Sequence, residues 1–236
     1  MTFTKLTPKT ARFAFLSAIA IAAIVSVSQH AAAQLVIDDF SSGFYGTTLT
    51  KGTAGDTQTG TMAGGSRYTY LAVCDPTNPC SGDPFEQPNS YQVKKATKTT
   101  PNILIFNTGY KSDAWLSVVY GDNGNMNLAL SPTYDRIRLY FNGADQFINF
   151  NLVVFTDGAF SGLGCNFNQP TGANTAFTVD LPFANFGGDA DFGDITTMNF
   201  EFDASQGNAT GEDWALTSIQ AVLGGQADVT CGGSGS

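Results

Sequence analysis

The chain has 236 residues, of which 42% are hydrophobic and 13% charged, and its 20 acidic residues outnumber the 11 basic ones. The formal net charge of −9 argues against binding to nucleic acid or to anionic lipid, because like charges repel. The only histidine is His30. If the N-terminal segment that contains it is removed, neither a Ser-His-Asp or Cys-His nucleophile nor a His-bearing zinc site can form.

The first 33 residues predict a secretory signal peptide. Lys5, Lys9 and Arg12 precede an apolar run over 13–27, and three alanines at 31–33 form a small-residue cleavage site. The run is shorter than the about 20 residues that a membrane-spanning helix needs, so an uncleaved anchor is the less favoured alternative. Cleavage leaves eight basic and twenty acidic residues, a net charge of −12. We expect a secreted protein, extracellular or periplasmic, without membrane insertion after cleavage.

The mature chain contains four cysteines, Cys74, Cys80, Cys165 and Cys231. In an exported chain, four cysteines favour two disulfides over a metal site or a reactive thiol, and three pairings are possible. The short loop CDPTNPC contains two prolines that turn the chain back, which favours pairing of Cys74 with Cys80. Cys165 and Cys231 then form a long-range link.

Hydrophobicity alternates with period two along nearly the whole mature chain, and no stretch is typical of an amphipathic helix. Turn residues separate the apolar segments, and TDGAFSGLG at 156–164 is predicted as one such turn. The pattern predicts an all-β fold, an antiparallel two-sheet β-sandwich of the jelly-roll type, as one domain over 34–231 with a flexible tail at 232–236. Nine segments are predicted strands: QLVIDDF, SRYTYLAV, NILIFN, AWLSVVY, RIRLYFN, QFINFNLVVF, TAFTVDL, TMNFEFD and WALTSIQAVL.

Three aspartates and three glycines lie close together in GGDADFGDI, at 187–195. An EF-hand loop starting at Asp189 would need glycine at its sixth position and glutamate at its twelfth, where Asp194 and Phe200 stand. We therefore favour a turn between strands, with Phe192 and Ile195 packed against the edge of the core. A partial calcium site that borrows ligands from elsewhere is the alternative.

A second acidic group could form from the two ends of the mature chain. Asp38 and Asp39 lie in the first predicted strand, and Glu212 and Asp213 precede the last. If these strands are neighbours, as in many jelly rolls, the four carboxylates would meet, and their repulsion would favour a structural Ca²⁺ ion. Solvated turn charges are the equally favoured alternative.

One segment, EFDASQ at 201–206, resembles the strand motif E-x-D-x-x-E of retaining jelly-roll glucanases. Gln206 stands where the second glutamate is needed, and an amide cannot transfer the proton that glycoside cleavage requires. A polysaccharide lyase could use Tyr140 with Arg136 or Arg138, but nothing in the sequence brings them together. We expect no catalytic residues, with lyase or hydrolase activity as a minor alternative.

Several motifs carry a resemblance to a known class of proteins. IDDF opens the mature chain, a GGxR turn follows at 64–67, a YGD segment precedes RIRLYFN, and ADFGDITTMNFEFD precedes DWALTSIQAV. Over most of 35–223, the chain resembles secreted bacterial domains that look like galactose-binding or carbohydrate-binding-module jelly rolls. Some of these domains carry exosortase sorting tails, whereas this chain ends in CGGSGS. The resemblance implies non-catalytic binding of a polysaccharide or glycoconjugate, an inward-packed Phe192, and calcium, if bound, in a structural role without other cofactors.

Sugar recognition uses aromatic faces against C–H groups, and amides, carboxylates and guanidinium groups against hydroxyls. Tyr68 and Tyr70 could form part of a wall, and Trp214 more readily plugs the end of the sandwich. The candidate glycan-binding residues are Trp115, Tyr120, Arg136, Arg138, Tyr140, Asn149, Asn151, Asn199, Glu201 and Asp203.

Self-association of a matrix or surface protein is the competing hypothesis, because QFINFNLVVF would be prone to pairing at a sheet edge.

Overall fold

The structure is a computed structural model that describes residues 34–73, 88–109, 112–122, 126–168, 170, 175–204 and 211–232. Among these residues, the chain forms fifteen strands and two short 3₁₀ turns, Ala63–Gly65 and Phe183–Asn185. The strands are β1 (Gln34–Asp38), β2 (Gly46–Leu49), β3 (Gly52–Thr59), β4 (Ser66–Val73), β5 (Asn89–Lys94), β6 (Ile103–Asn107), β7 (Ala114–Tyr120), β8 (Arg136–Ala144), β9 (Ile148–Thr156), β10 (Ala159–Phe167), β11 (Phe177–Pro182), β12 (Gly187–Gly188), β13 (Thr197–Asp203), β14 (Asp213–Val222) and β15 (Val229–Thr230).

The strands form two sheets with a shared hydrophobic core. One sheet has eight strands, in the order β15-β11-β8-β14-β6-β5-β2, with β1 also paired to β14. The other has seven, in the order β12-β10-β9-β13-β7-β4-β3. Neighbouring strands are antiparallel except for the parallel pair β11 and β15. The predicted antiparallel two-sheet sandwich is confirmed.

In the described part of the chain, no helix is long and apolar enough to cross a membrane. The predicted signal peptide lies outside the described residues.

Alternation along each strand places one set of side chains in the core. On β13, the apolar residues at 198, 200 and 202 are buried, whereas the polar residues at 199, 201 and 203 are only partly buried, as predicted. Trp214 packs its ring 4.2 Å from that of Phe202 and is 2% exposed, so it fills the core as expected. Burial of each such large apolar side chain stabilises the fold by roughly 1.5 to 3 kcal/mol.

Each of the nine predicted segments contains a strand, and AWLSVVY and TMNFEFD match β7 and β13 residue for residue. The predicted turn TDGAFSGLG is wrong beyond Gly158, because β10 occupies most of that segment. Its outward positions include Gly162 and Gly164, whose lack of side chains hides the alternation. QFINFNLVVF is not a sheet edge either, since β9 lies between β10 and β13.

A disulfide between Cys165 and Cys231 joins β10 of one sheet to the segment that follows β15 of the other. The predicted long-range link is therefore present in the structure. It closes a loop with a sequence separation of 66 residues, for which the chain-entropy model gives a stabilisation of about 4 kcal/mol. The predicted pair Cys74 and Cys80 lies outside the described residues.

A buried ion pair ties the first strand to the seven-stranded sheet. Arg67, the last residue of the GGxR motif, is fully buried on β4 and donates from Nη1 to Oδ2 of Asp38, the first aspartate of the IDDF motif. The hydroxyl of Tyr120 donates to the same oxygen at 2.8 Å, and the guanidinium lies 5.3 Å from the ring centroid of Phe40. The two motifs that are separate in sequence thus form one structural unit.

The acidic segment GGDADFGDI forms β12 and a turn, in agreement with the interpretation that the sequence favoured. The Asp191 carboxylate accepts a hydrogen bond from the Gly193 amide at 2.7 Å, which stabilises the turn. Phe192 stacks on Phe183 with ring centroids 4.2 Å apart, and Ile195 is fully buried. Both apolar side chains therefore pack inward, as the resemblance implied for Phe192.

Candidate functional site

The side of the seven-stranded sheet that faces away from the core, which we call the outer face, carries most of the predicted binding residues. The strand register places Tyr70, Ser117, Glu201, Asn151 and Gly164 in one row across β4, β7, β13, β9 and β10. With strands spaced about 4.8 Å apart, this row is about 19 Å long. The parallel row one step along the strands contains Ala72, Trp115, Asp203, Asn149 and Asn166.

Three aromatic side chains form an aromatic row at one end of the outer face. Tyr68 stacks on Tyr70 with ring centroids 6.3 Å apart, and Trp115 meets Tyr70 edge-on at 6.0 Å. Trp115 is 38% exposed, and both tyrosines are partly exposed. Gly55 on β3 makes room for Tyr68, because a Cβ atom there would collide with the tyrosine hydroxyl. The row therefore presents ring surface to solvent in a fixed arrangement.

A polar ladder continues from the aromatic row across the centre of the outer face. The Ser117 hydroxyl donates to the Asn199 side chain at 2.7 Å. The amides of Asn199 and Asn151 donate to the two carboxylate oxygens of Glu201 at 2.6 and 3.2 Å. These bonds hold the side chains in place while leaving lone pairs and protons free for other partners.

A groove of about 400 Å³ lies beyond the ladder, between the ends of β9 and β10 and the C-terminal segment 229–232. Three asparagines line it, and Gly164 contributes no side chain to the lining. The residues that line the groove are Asn149, Phe150, Asn151, Gly164, Cys165, Asn166, Val229, Thr230, Cys231 and Gly232.

Among the residues of the described strands, the outer face carries acidic groups but no cationic one. The seven strands of this sheet contain a single basic residue, Arg67, and it is fully buried. Glu201 and Asp203 are both partly exposed on the outer face. A bound anion would therefore be repelled rather than paired.

Three predicted binding residues, Arg136, Arg138 and Tyr140, lie on β8 of the other sheet. The structure therefore divides the predicted set between opposite sides of the sandwich. Both arginines also have intramolecular partners, because each donates to the fully buried carboxylate of Asp180. The hydrogen bond to Asp180 raises the pKa of the Arg138 guanidinium, whereas the pKa of Arg136 is raised chiefly by its hydrogen bonds to Asp135 and less by that to Asp180.

Tyr120 was predicted as a glycan-binding residue, but the structure buries it completely. Its ring lies on the core side of β7, and its hydroxyl donates to Asp38. Burial and the Asp38 charge raise the pKa of this phenol. Strand alternation already placed Tyr120 on the side of Leu116 and Val118, so the sequence contained the signal for its burial.

The four carboxylates of the predicted calcium site are not brought together. The first and last long strands are neighbours, but Asp38 lies opposite Ile219, about 20 Å along β14 from Asp213. Asp38 is bound to Arg67, and the Asp39 carboxylate accepts from the Ser41 amide. Within the described ranges, no three acidic, histidine or cysteine side chains form a metal-binding group. Calcium binding stays a prediction, and six to eight oxygens would have to be found for it.

Glu212 is 3% exposed, and within the described residues its carboxylate oxygens have no hydrogen-bond partner. Burial raises the pKa of this side chain to about 8. The indole N–H of Trp214 opposes the shift electrostatically, although it does not have the geometry of a hydrogen bond. Asp203, Asp145 and Asp213 raise the pKa further through charge repulsion. Glu212 is therefore protonated at mildly acidic pH.

Comparisons with known proteins yield distant structural matches. No model of a protein family matches the chain, and no curated protein matches it in sequence. A family 11 carbohydrate-binding module from Clostridium thermocellum, in complex with a β-1,3-1,4-mixed-linked tetrasaccharide, is 11% identical, with a TM-score of 0.42 over 81% of this chain and 95% of that chain. The family 11 module of the cellulosomal cellulase Lic26A-Cel5E of Clostridium thermocellum is also 11% identical, with a TM-score of 0.41 over 83% and 96%. A structure of PfGH50B is 13% identical, with a TM-score of 0.35 over 58% and 23%. Similarity at this level assigns neither a family nor a function.

Ser117 and Asn166 belong to the outer face but were not among the predicted residues. Ser117 alternates with Leu116 and Val118, and Asn166 with Cys165 and Phe167, so both outward positions follow from period two. The segment that leads to Asn166 was predicted as a turn up to Gly164, and a turn has no outward face on which Asn166 could be placed.

Proposed function

We propose that this protein is a secreted, non-catalytic glycan-binding protein whose outer face binds a neutral polysaccharide. The aromatic row beside the polar ladder is the observation that carries the proposal. Pyranose rings have apolar C–H surfaces and polar hydroxyl edges, so a binding face needs ring surface next to hydrogen-bonding groups. The outer face offers both within one row of about 19 Å.

The charge of the outer face favours a neutral glycan. Its exposed ionisable groups include Glu201 and Asp203, and the one arginine of the sheet is buried. Polyuronates and sulfated polysaccharides would meet like charges there, and the described strands of this sheet offer no exposed cation to pair with them. Neutral glucans, xylans, mannans and galactans avoid this repulsion.

The arrangement around Glu201 favours binding over hydrolysis. Both of its carboxylate oxygens accept from asparagine amides, and the matching acid position, 206, is a glutamine. Retaining and inverting glycosidases require two carboxyl groups on either side of the bond that is cleaved. Glu201 is better suited to accept hydrogen bonds from sugar hydroxyls.

The double variant Tyr70→Ala with Trp115→Ala is expected to weaken polysaccharide binding by about tenfold or more, because it removes the apolar surface on which a ring would stack. The measurement is affinity electrophoresis in gels that contain β-glucan, xylan, galactomannan or galactan, with alginate and carrageenan as anionic counterparts. Tyr140→Ala is the matched control, since this partly buried tyrosine lies on the opposite side of the sandwich.

Retention of the wild type by a neutral polysaccharide, lost in the double variant and kept in Tyr140→Ala, would support the proposal. Loss in Tyr140→Ala alone would place binding on the eight-stranded sheet and overturn the assignment of the outer face. A wild type that no glycan retains, and that elutes as a large assembly, would favour a self-associating matrix protein. Release of sugar products would revive hydrolase or lyase activity.

A further inference from the structure

We infer that the groove between β9, β10 and the C-terminal segment 229–232 is a subsite for one uncharged sugar unit. This inference rests on the proposed function, because it assigns a separate part of the same polysaccharide to a place beyond the aromatic row. The volume of about 400 Å³ falls at the lower end of the range of sites that hold small molecules. The groove therefore suits a group of the size of a sugar ring.

The wall of the groove is held rigidly. Cys231 forms the disulfide with Cys165, its amide donates to the Asp180 carbonyl at 2.9 Å, and its carbonyl accepts from the Asn185 side chain at 2.6 Å. Val229 pairs in register with Val179 of β11. A binding wall fixed in advance loses little conformational freedom when a ligand enters, which favours binding.

The groups that line the groove select an uncharged, hydroxyl-bearing ligand. Asn149 and Asn166 lie directly opposite each other on β9 and β10, and neither side chain bonds to another described residue. Each free amide offers two donors and an acceptor, the combination that sugar hydroxyls use. The lining contains no ionisable side chain, so nothing in it would pair with a carboxylate or sulfate.

Gly164 in the lining of the groove has no role in folding that the structure reveals. Its φ lies outside the left-handed region, and a Cβ atom there would meet no heavy atom within 4 Å. Glycine within a strand is destabilising relative to residues with side chains, and it often marks a place where a ligand approaches the backbone. The open space at the position of a Gly164 Cβ atom fits that explanation.

Gly164→Leu is expected to weaken binding of the neutral polysaccharide by about tenfold or more, because the new side chain would fill the groove. The probes are the same β-glucan, xylan, galactomannan and galactan gels, used with the full exported chain. Gly162→Leu is the matched control. It lies on the same strand and side but outside the groove, and a Cβ atom there would meet only the Leu152 carbonyl, at 3.9 Å. Both variants should melt at or above the wild-type temperature, since leucine is a better strand residue than glycine.

The inference stands if Gly164→Leu loses retention and Gly162→Leu keeps it. If Gly164→Leu binds like the wild type while the Tyr70 and Trp115 double variant does not, the subsite is wrong and the proposed function survives. If the wild type itself binds none of these glycans, both the subsite and the proposed function are wrong. Should Gly164→Leu lower the melting temperature, Asn149→Ala with Asn166→Ala replaces it, and unchanged retention of that variant overturns the subsite.

Discussion

Replacing Arg67 with methionine is expected to lower the free energy of unfolding by about 3 to 5 kcal/mol. The guanidinium is fully buried and the Asp38 carboxylate is 2% exposed, so the substitution leaves a buried negative charge without its counter-ion. Hydrogen bonds from Arg67 to the Gln58 side chain and the Gly43 carbonyl are lost as well. Domains of this size are stable by only about 5 to 15 kcal/mol, so urea denaturation should show a large shift of the midpoint.

The double variant Arg67→Met with Asp38→Leu distinguishes the cost of the unpaired Asp38 charge from the cost of the other contacts that are lost. It removes the orphaned carboxylate, so we expect it to be more stable than Arg67→Met alone. It should remain less stable than the wild type, because the Tyr120 hydroxyl loses its acceptor. If Arg67→Met stays within about 1 kcal/mol of the wild type, the pair contributes no more than an exposed ion pair and the structural role given to the two motifs is wrong.

The protein is expected to lose stability as the pH rises from about 5 to 8, and Glu212→Gln should remove most of that loss. Burial raises the pKa of Glu212 from 4.5 to about 8 in the folded state. Below pH 4.5, Glu212 is protonated in both the folded and the unfolded state, so its contribution to stability is fully present. Between the two values, the folded state holds a proton that the unfolded state has released, so each pH unit costs up to about 1.4 kcal/mol.

The measurement compares the unfolding free energies of Glu212→Gln and the wild type at pH 5 and pH 8. Between pH 5 and pH 8, the unfolding free energy of the variant should rise by about 2 to 4 kcal/mol relative to that of the wild type. The pKa of Asp213 is also raised, by burial and by Asp145, but that contribution has the same sign in both proteins and largely cancels. Parallel curves from pH 5 to 8 would show that Glu212 is ionised in the folded state.

The positions of nine strands and the faces of those strands were predictable because both depend on local sequence, whereas β2, β3 and β5 were not predicted. On β13, Met198, Phe200 and Phe202 alternate with polar residues, and the structure buries the apolar set. On β7, the same rule places Trp115 and Tyr120 on opposite faces, although both were predicted to bind glycan. Where glycines occupy the outward positions, as on β10, the alternation is hidden and the strand was mistaken for a turn.

The sequence by itself determined that the chain from residue 34 onward forms a sandwich of antiparallel strands and that Asn199, Glu201 and Asp203 point away from the core. Period two relates a side chain to its neighbours on the same strand, so no distant contact is needed. Only the tertiary structure decided which strands share a sheet. It placed Arg138 and Glu201 on opposite sides and paired Asp38 with Arg67 across 29 positions. Those outcomes depend on hydrogen bonds between distant strands, which local periodicity does not specify.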